Sequence, residues 1–235
     1  MKKLNIFLVL LLSALIALSA YMIWENVSIQ QKEKKEFEEL LQIIEKPNDN
    51  ATPTMPTDGT ETDTETTTTT DNTEPEVLER NLAPLFEKNT ECIGWIYIEG
   101  TNVNYPVMHT PENPQKYLRK NFDGEYSQSG VPFLDARCSV DGGTAIIYGH
   151  NMKNGTQFSD LKKYLDAGFR NSHLTIEFQT EAGIHYYTVV DVIRTDIYDE
   201  IYNQIQSEDN TLILSTCYGS AKSGRLLIIA KEATG

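Results

Sequence analysis

Eight short β-type segments between residues 93 and 231 constrain the fold of this 235-residue chain more than any other feature. Each is an apolar run rich in β-branched or aromatic residues, and turn-forming residues separate it from the next. One clear helical pattern, at residues 158–165, interrupts them, which disfavours the alternating strands and helices of an α/β sheet. The pattern therefore predicts an all-β barrel. The predicted strands are residues 93–98, 103–108, 131–134, 144–148, 174–178, 185–194, 211–216 and 225–231.

An uncharged apolar run at residues 4–24 is about long enough to cross a bilayer as a helix. Two lysines precede it and no basic residue follows it directly, which predicts a cytoplasmic N-terminus with the rest of the chain outside. A cleaved signal peptide is the alternative, because residues 17–20 include the small residues Ala17, Ser19 and Ala20. The run continues past Ala20 to Trp24, whereas signal-peptide cores usually have ~7–15 residues. We therefore expect a retained anchor over residues 1–24.

Two segments of contrasting composition follow this anchor. Residues 25–46 are rich in helix formers of mixed charge and are interpreted as a solvated helical stalk. A partner-binding coiled coil is the alternative, but four aliphatic residues are too few for sustained heptads. Residues 47–75 are dominated by Thr, Asp, Glu and Pro, which predicts a disordered linker. This linker is either a tether that holds the domain away from the membrane or tolerated filler.

The ordered domain is predicted over residues 76–235, beginning with a short amphipathic helix around residues 77–86. The net charge of −14 belongs mostly to the segment before it, because residues 47–79 hold nine acids and no base. Residues 80–235 carry fourteen bases and nineteen acids without a basic stripe, so nucleic-acid binding is not expected. No histidine or cysteine pair has the spacing of zinc ligands, and no metal or organic cofactor is predicted.

Three polar residues with complementary chemistry lie at the ends of predicted strands. Strand 211–216 leads to Cys217, a Gly/Ser-rich turn reverses the chain, and Arg225 opens the next strand. Two adjacent antiparallel strands would hold the thiol and the guanidinium side by side. This pairing suits acyl transfer, because the thiolate is the nucleophile and a fixed cation can bind an oxyanion. His150 follows strand 144–148 and can act as the general acid and base.

The remaining cysteines and histidines are interpreted as structural. An odd number of cysteines in a chain predicted to lie outside the membrane leaves at least one free thiol. Cys217 is the candidate for that thiol, while Cys92 and Cys138 are expected to be buried, with a bridge between them as the alternative. The other histidines are expected at the surface or at strand edges; they are His109, His173 and His185.

These motifs resemble those of the sortases, the cysteine transpeptidases of Gram-positive cell surfaces. The sequence Leu214-Ser215-Thr216-Cys217, with Arg225, is similar to the nucleophile and arginine motif, and residues 148–158 resemble the histidine motif of class B sortases. The resemblance extends from about residue 93 to the C-terminus. It implies a closed eight-stranded sortase-type barrel with a few short peripheral helices, preceded by the membrane helix and linker.

The resemblance also implies an activity, a location and partners. Cys217 would attack a carbonyl in the C-terminal sorting motif of a secreted protein, Arg225 would stabilise the oxyanion, and His150 would protonate the departing amine. An amine of a peptidoglycan precursor or a pilin lysine would then resolve the thioester. The enzyme would be a single-pass protein of the cell membrane with its domain on the extracellular face. The residues implied to line the substrate groove are Asn104, Met108, Ser215 and Thr216.

The chain departs from the class B pattern between residues 195 and 209. Class B sortases usually carry a long helical insertion there, whereas this connection has room for one short helix. The resemblance therefore implies the chemistry but not the identity of the substrate. The acidic cluster with which some class A relatives bind calcium has no evident counterpart. Two other functions stay open: a surface cysteine protease that uses water as acceptor, and a non-catalytic wall-anchored adhesin.

Overall fold

A barrel of eight strands forms the body of the protein. The computed structural model describes residues 2–45, 80–140, 142–204 and 210–233. Within these ranges the strands close in the order β1-β2-β3-β4-β7-β8-β6-β5, with β5 paired to β1, which confirms the predicted all-β barrel. The strands are β1 (Cys92–Tyr97), β2 (Asn104–Met108), β3 (Phe133–Leu134), β4 (Thr144–Tyr148), β5 (Thr175–Thr180), β6 (Gly183–Asp196), β7 (Thr211–Cys217) and β8 (Gly224–Glu232).

Strand β7 pairs with one strand that leads to His150 and with another that carries Arg225. It pairs in parallel with β4, so that Tyr148 lies opposite Ser215, and antiparallel with β8, so that Cys217 lies opposite Arg225. Parallel strands end at the same edge of a sheet, and an antiparallel neighbour begins there. The ends of β4 and β7 and the start of β8 therefore meet at one edge of the barrel.

The apolar run of β7 explains why its last residue is accessible. Residues 211–216 are all buried, and Cys217 is the first exposed residue of the strand. A strand covered on both faces requires a continuous apolar run and not an alternation. The side chains of Leu212, Ile213 and Leu214 accordingly join the barrel core. The strand thus holds the thiol at the surface on a rigid base.

Short helices surround the barrel in the described residues. They are α2 (Ala83–Lys88), α3 (Ala167–Ser172) and three 3₁₀ helices, Lys116–Arg119, Phe158–Leu165 and Glu200–Asn203. The helix predicted at residues 158–165 is present as a 3₁₀ helix. The helix predicted around residues 77–86 begins later, at Ala83, and residues 77–79 lie outside the described ranges. Helix α3 has no counterpart among the predicted helices, because six residues are too few for helical periodicity to be detected.

A helix of 43 residues, α1 (Lys2–Ile44), precedes the barrel. The large apolar side chains of its residues 6–24 are all exposed, and by length and composition this helix can cross a membrane. Its second half behaves differently. Glu33, Leu40 and Ile44 are buried, and Phe37 packs edge-on against the ring of Tyr105. The first half is thus exposed to its surroundings, and the second half is part of the folded domain.

The interpretation of residues 25–46 as a solvated stalk is therefore wrong for one face of the helix. The buried residues Glu33, Leu40 and Ile44 and the partly buried Phe37 recur every three to four positions and so share one face. Leu40 and Ile44 join a second apolar cluster with Trp95, outside the barrel core. A stripe this short cannot support a coiled coil, but it is long enough to dock a helix on a domain.

The tether interpretation of the predicted linker stays a prediction, which the contact between its two flanks does not favour. Residues 47–75 lie outside the described ranges, but the two flanks of this segment are in contact, because the Asn81 amide donates to the Ile44 carbonyl at 3.2 Å. A segment whose ends meet cannot set the distance between the domain and the membrane helix. That distance is set by α1, in which Glu33 lies about 14 Å beyond Trp24 at 1.5 Å per residue.

Replacing Ile44 with alanine tests the docking of α1. Ile44 is 2% exposed, so Ile44→Ala should lower the free energy of unfolding by about 2–4 kcal/mol through lost burial and a cavity. Denaturant unfolding of the full chain in detergent measures this. The exposed Gln42→Ala on the same turn is the control and should change stability by less than about 0.5 kcal/mol. Equal stability of the two variants would contradict the docking.

Candidate active site

One cavity of about 490 Å³ lies at the barrel edge where β4 and β7 end. This volume is typical of ligand pockets. Five of the seven residues singled out from the sequence line it, namely His150, Cys217, Arg225, Ser215 and Thr216. The structure thus brings the thiol, the imidazole and the guanidinium to the same cavity.

Side-chain hydrogen bonds fasten the segment that carries His150 to the end of β7. The Thr216 hydroxyl donates to the Gly149 carbonyl at 2.8 Å, and the Asn151 amide donates to the Cys217 carbonyl at 2.9 Å. Both neighbours of His150 are therefore tied to the strand that ends in Cys217. Thr216 uses its hydroxyl proton in this contact, so its visible role is to hold the histidine segment.

Close packing against Phe158 fixes the backbone at Gly149. A Cβ atom at this glycine would lie 2.5 Å from the Phe158 ring, which is fully buried. The Phe158 amide donates to the His150 carbonyl at 2.9 Å, so the loop that leaves His150 returns directly to it. Only glycine permits this approach, which explains the Gly-His pair in the motif.

The ring of His150 is half-buried and has a defined tautomer. Its Nε2 lies 3.0 Å from the Leu118 carbonyl, and because a carbonyl oxygen only accepts, Nε2 carries the proton. In the neutral ring Nδ1 is then the basic nitrogen. Burial lowers the pKa of His150; the Leu118 hydrogen bond opposes this change and the charge of Arg119 adds to it. The neutral imidazole is therefore favoured near neutral pH.

The turn between β7 and β8 presents Arg225 next to Cys217. Gly219 has a positive φ of 79°, and a Cβ at Gly224 would lie 2.2 Å from the Tyr218 carbonyl. Arg225 Nη1 donates to the Lys222 carbonyl at 3.0 Å and to the Gly224 carbonyl at 2.8 Å. One nitrogen of the guanidinium thus anchors the side chain to the turn, and the planar group retains further donors.

An acidic residue that the sequence analysis missed also lines the cavity. Asp135 accepts hydrogen bonds from Arg137 Nε at 2.9 Å, from Arg137 Nη2 at 2.8 Å and from the Tyr148 hydroxyl at 2.7 Å. Burial alone would raise the pKa of Asp135, but these hydrogen bonds and the charge of Arg137 outweigh it and lower the pKa to about 2. Asp135, Arg137 and Tyr148 form this hydrogen-bonded group, and their spacing in the sequence matches no motif that could have predicted it.

The short connection between β6 and β7 supplies another part of the cavity wall. The 3₁₀ helix Glu200–Asn203 occupies the place where one short helix was expected, and it carries Tyr202. The Tyr202 hydroxyl and Ser215 Oγ share a hydrogen bond of 2.8 Å. Residues 205–209 of the connection lie outside the described ranges. Ser215 therefore belongs to the cavity wall through its contact with this helix.

Asn104 and Met108 do not lie at this cavity. Met108 is fully buried in the second apolar cluster, and the Asn104 side chain accepts a hydrogen bond from Trp95 Nε1 at 2.6 Å. A substrate-lining role for either residue stays a prediction, which their positions in the structure do not support. The strand assignment was correct, but the side of the strand that faces the cavity could not be read from its sequence.

The other two cysteines are free and buried, as the structural interpretation expected. Burial raises the pKa of Cys92 to about 12, and burial likewise raises the pKa of Cys138. Neither thiol would ionise near neutral pH, and only the thiolate is a strong nucleophile. Among the three thiols, Cys217 alone is exposed.

Comparison with known proteins identifies one family. The family model of the sortase domain matches residues 96–233. The chain is 40% identical over 111 residues to sortase B of Listeria monocytogenes, which is 46% of this chain and 44% of that protein. It is 29% identical over 187 residues to sortase B of Staphylococcus aureus, 65% of this chain and 76% of that protein. The chain thus spans less than half of the length of the Listeria protein in that match.

Solved structures show the same similarity. The X-ray structure of Clostridium perfringens sortase B has a TM-score of 0.59 and 25% identity, and the match covers 66% of this chain and all of that one. A Staphylococcus aureus sortase B–substrate complex has a TM-score of 0.57 and 26% identity, covering 64% and 83% of the two chains. The similar barrels are thus those of class B sortases.

The acidic residue in the cavity predicts a pH dependence of stability. Because the folded-state pKa of Asp135 lies near 2, below the ordinary value near 4, its contribution is present above pH 4 and is lost as the pH falls toward 2. Asp135→Asn should therefore cost about 2 kcal/mol at pH 6 and less at pH 3. Urea unfolding from pH 3 to pH 6 measures the difference.

Asp123→Asn is the control for this measurement. Asp123 pairs with Lys88 at 2.8 Å, but both side chains are about half exposed, and exposed pairs contribute little. A loss for Asp135→Asn that is the same at pH 3 and pH 6 would contradict the assignment of the charged form.

Proposed function

Since this chain belongs to the sortase family, with class B-like motifs, we propose that it is a cysteine transpeptidase acting on the C-terminal sorting motif of secreted proteins. The observation that carries the proposal is that Cys217, His150 and Arg225 line the same cavity. An exposed thiol, an imidazole and a fixed guanidinium are the groups that acyl transfer through a thioester requires. A non-catalytic adhesin would have no use for this arrangement.

In the first half of the proposed reaction, His150 accepts the proton of the Cys217 thiol. The lowered pKa of His150 favours the neutral imidazole that this step needs. The sulfur then bonds to the carbonyl carbon of the sorting motif, and the peptide C–N bond breaks. The imidazolium returns its proton to the departing amine, leaving the acyl group on Cys217 as a thioester.

In the second half, an amine of the cell surface attacks the thioester. The new C–N bond forms, the C–S bond breaks, and His150 carries the proton from the amine to the sulfur. The proposed acceptors are the amine of a peptidoglycan precursor or a pilin lysine. With water as acceptor the same steps would give a surface cysteine protease.

Arg225 is proposed to bind the oxyanion that forms during each attack. Its Nη1 is held by the turn carbonyls, which fixes the direction in which the remaining donors point. A planar group with several donors can bind a carbonyl oxygen through two hydrogen bonds, whereas lysine offers a flexible point charge. Of the groove residues, Ser215 and Thr216 are proposed to shape the cavity near the thiol.

We also propose that the enzyme is a single-pass protein of a Gram-positive cell membrane. The exposed apolar side chains of residues 6–24 on α1 support an anchor, and the two lysines before them support a cytoplasmic N-terminus. The barrel would then lie on the extracellular face, where both the secreted substrate and the acceptor amine are available.

Cys217→Ala tests the chemistry. The variant should neither cleave a sorting peptide nor form a thioester detectable by mass spectrometry, because the nucleophile is absent. Its unfolding transition should match that of the parent, because Cys217 is exposed. Cys92→Ala removes a buried thiol instead and should still acylate. An added amine should appear in the product of the parent; release of the free acid alone would favour the protease. Turnover by Cys217→Ala would refute the assignment.

Arg225→Lys separates directed hydrogen bonds from mere positive charge. Lysine keeps the charge but loses the planar donors, so turnover should fall by about 10²–10³. Alkylation of Cys217 by a small reagent should continue at a similar rate, because that reaction needs no oxyanion site. A fluorogenic sorting peptide and an alkylation time course measure the two rates. If both fall together, Arg225 only tunes the thiol, and backbone amides bind the oxyanion.

A further inference from the structure

A buried carboxylate interrupts the apolar face with which α1 docks on the domain. Glu33 is 7% exposed and shares this face with Phe37, Leu40 and Ile44. Docking requires only apolar area, and a buried charge is costly unless hydrogen bonds satisfy it. An apolar residue at position 33 would dock the helix at lower cost. The carboxylate therefore calls for an explanation beyond attachment of the helix.

Four donors of one loop satisfy this carboxylate. Glu33 Oε1 accepts from the Ser127 hydroxyl at 2.8 Å, the Gln128 amide at 2.6 Å and the Ser129 amide at 3.3 Å. The Ser129 hydroxyl donates to Oε2. Ser129 itself lines the cavity, whereas Glu33 does not. A side chain of the membrane-proximal helix thus fixes the conformation of a wall of the candidate active site.

The loop held by Glu33 leads to the carbonyl that binds the His150 ring. Gly130 follows Ser129 with a positive φ of 62°, and a Cβ there would lie 2.4 Å from the Tyr117 carbonyl. The Val131 amide donates to the same carbonyl at 3.1 Å. The next residue after Tyr117 is Leu118, whose carbonyl accepts from His150 Nε2 at 3.0 Å. The loop therefore packs directly behind the acceptor that sets the tautomer of His150.

A second route runs through Gln157. The Gly130 carbonyl accepts from Gln157 Nε2 at 3.0 Å, and Gln157 is fully buried with a positive φ of 57°. A non-glycine residue holds such a backbone conformation only when its surroundings impose it. The following residue, Phe158, donates its amide to the His150 carbonyl. Both the ring and the backbone of His150 are thus supported by the loop that Glu33 holds.

We propose that Glu33 is a positioning residue, which acts through the loop of residues 127–131 to hold His150 in its working orientation. The inference rests on the proposed function of His150 but concerns a residue about 14 Å along the helix from the predicted membrane end at Trp24. Removing the carboxylate leaves four donors without their acceptor, so the loop relaxes and the Leu118 carbonyl moves. Misplacement of a catalytic group by about 1 Å can cost roughly 10²-fold in rate.

The test uses the full chain in detergent, with Glu33→Gln as the main variant. Glutamine keeps the volume but removes the charge and replaces one acceptor oxygen with a donor. The expected result is a fall in kcat of roughly 10- to 100-fold that exceeds any change in KM, because the loop supports His150 as well as the cavity wall at Ser129. Glu38→Gln is the matched control, since Glu38 is exposed on the same helix and, within the described residues, pairs with Lys34 at 3.5 Å. It should retain the kcat of the parent.

A second readout is independent of activity. The Nε2–H signal of His150, observed by NMR of ¹⁵N-histidine-labelled protein and assigned with His150→Gln, reports the hydrogen bond to Leu118. Glu33→Gln should increase the exchange rate of this proton, and Glu38→Gln should not. If the parent proves inactive on sorting peptides, the proposed function fails, while this signal still decides the positioning role.

Loss of stability is separated from loss of position by Ile44→Ala. Ile44 lies about three turns from Glu33. Its aliphatic side chain cannot replace the hydrogen bonds that Glu33 makes to residues 127–129. At a temperature below all unfolding transitions, Ile44→Ala should keep the parent kcat and His150 signal although it is less stable. The inference is overturned if Glu33→Gln matches Glu38→Gln in both readouts, if Ile44→Ala loses as much kcat, or if kcat falls while the His150 signal is unchanged.

Discussion

The pairing of β7 with two different neighbours is the constraint on which the site depends. Parallel pairing with β4 carries the histidine segment to the edge where β7 ends, and antiparallel pairing with β8 starts the arginine strand at that edge. The hydrogen bonds of a sheet fix this register, and a slip of one residue would turn each side chain to the opposite face. Three residues from distant parts of the chain thus share one cavity without any bond among their side chains.

Much of this arrangement could be predicted, because it depends on local signals. Apolar runs mark the strands, glycine marks the turn before Arg225, Cys217 ends one strand, and His150 lies two residues after the end of another. The less reliable predictions concern faces and partners. The family resemblance implies a groove position for Met108, but this residue packs in the second apolar cluster with Trp95. Which face of a strand is covered by which element depends on tertiary packing, and that is not encoded in the strand itself.

The contributions of Glu33 and Asp135 could not be predicted for a related reason. The role of each carboxylate depends on hydrogen-bond donors that come close to it only in the folded state. For Glu33 these donors lie about 95 residues away in the sequence. In the sequence, Glu33 looks like one of several acids in a solvated helix, where other glutamates have lysine partners at i−4. Burial distinguishes it from Glu38 and Glu39, and burial of a polar residue is the feature that helical periodicity of apolar residues cannot reveal.

The contact between α1 and the barrel bears on how the distance between the domain and the proposed membrane anchor is set. If a linker of variable extension held the domain, the cavity would sample many heights above the bilayer. Here the helix is continuous from the apolar run to Ile44, and the flanks of the linker meet at Asn81. A helix is stiff over this length, so the cavity wall at Ser129 is held within about 15–20 Å of Trp24 along its axis. If the apolar run of α1 spans the membrane, as proposed, the height of the site depends on the helix, and an inserted turn between Trp24 and Glu33 would move the site by about 5 Å.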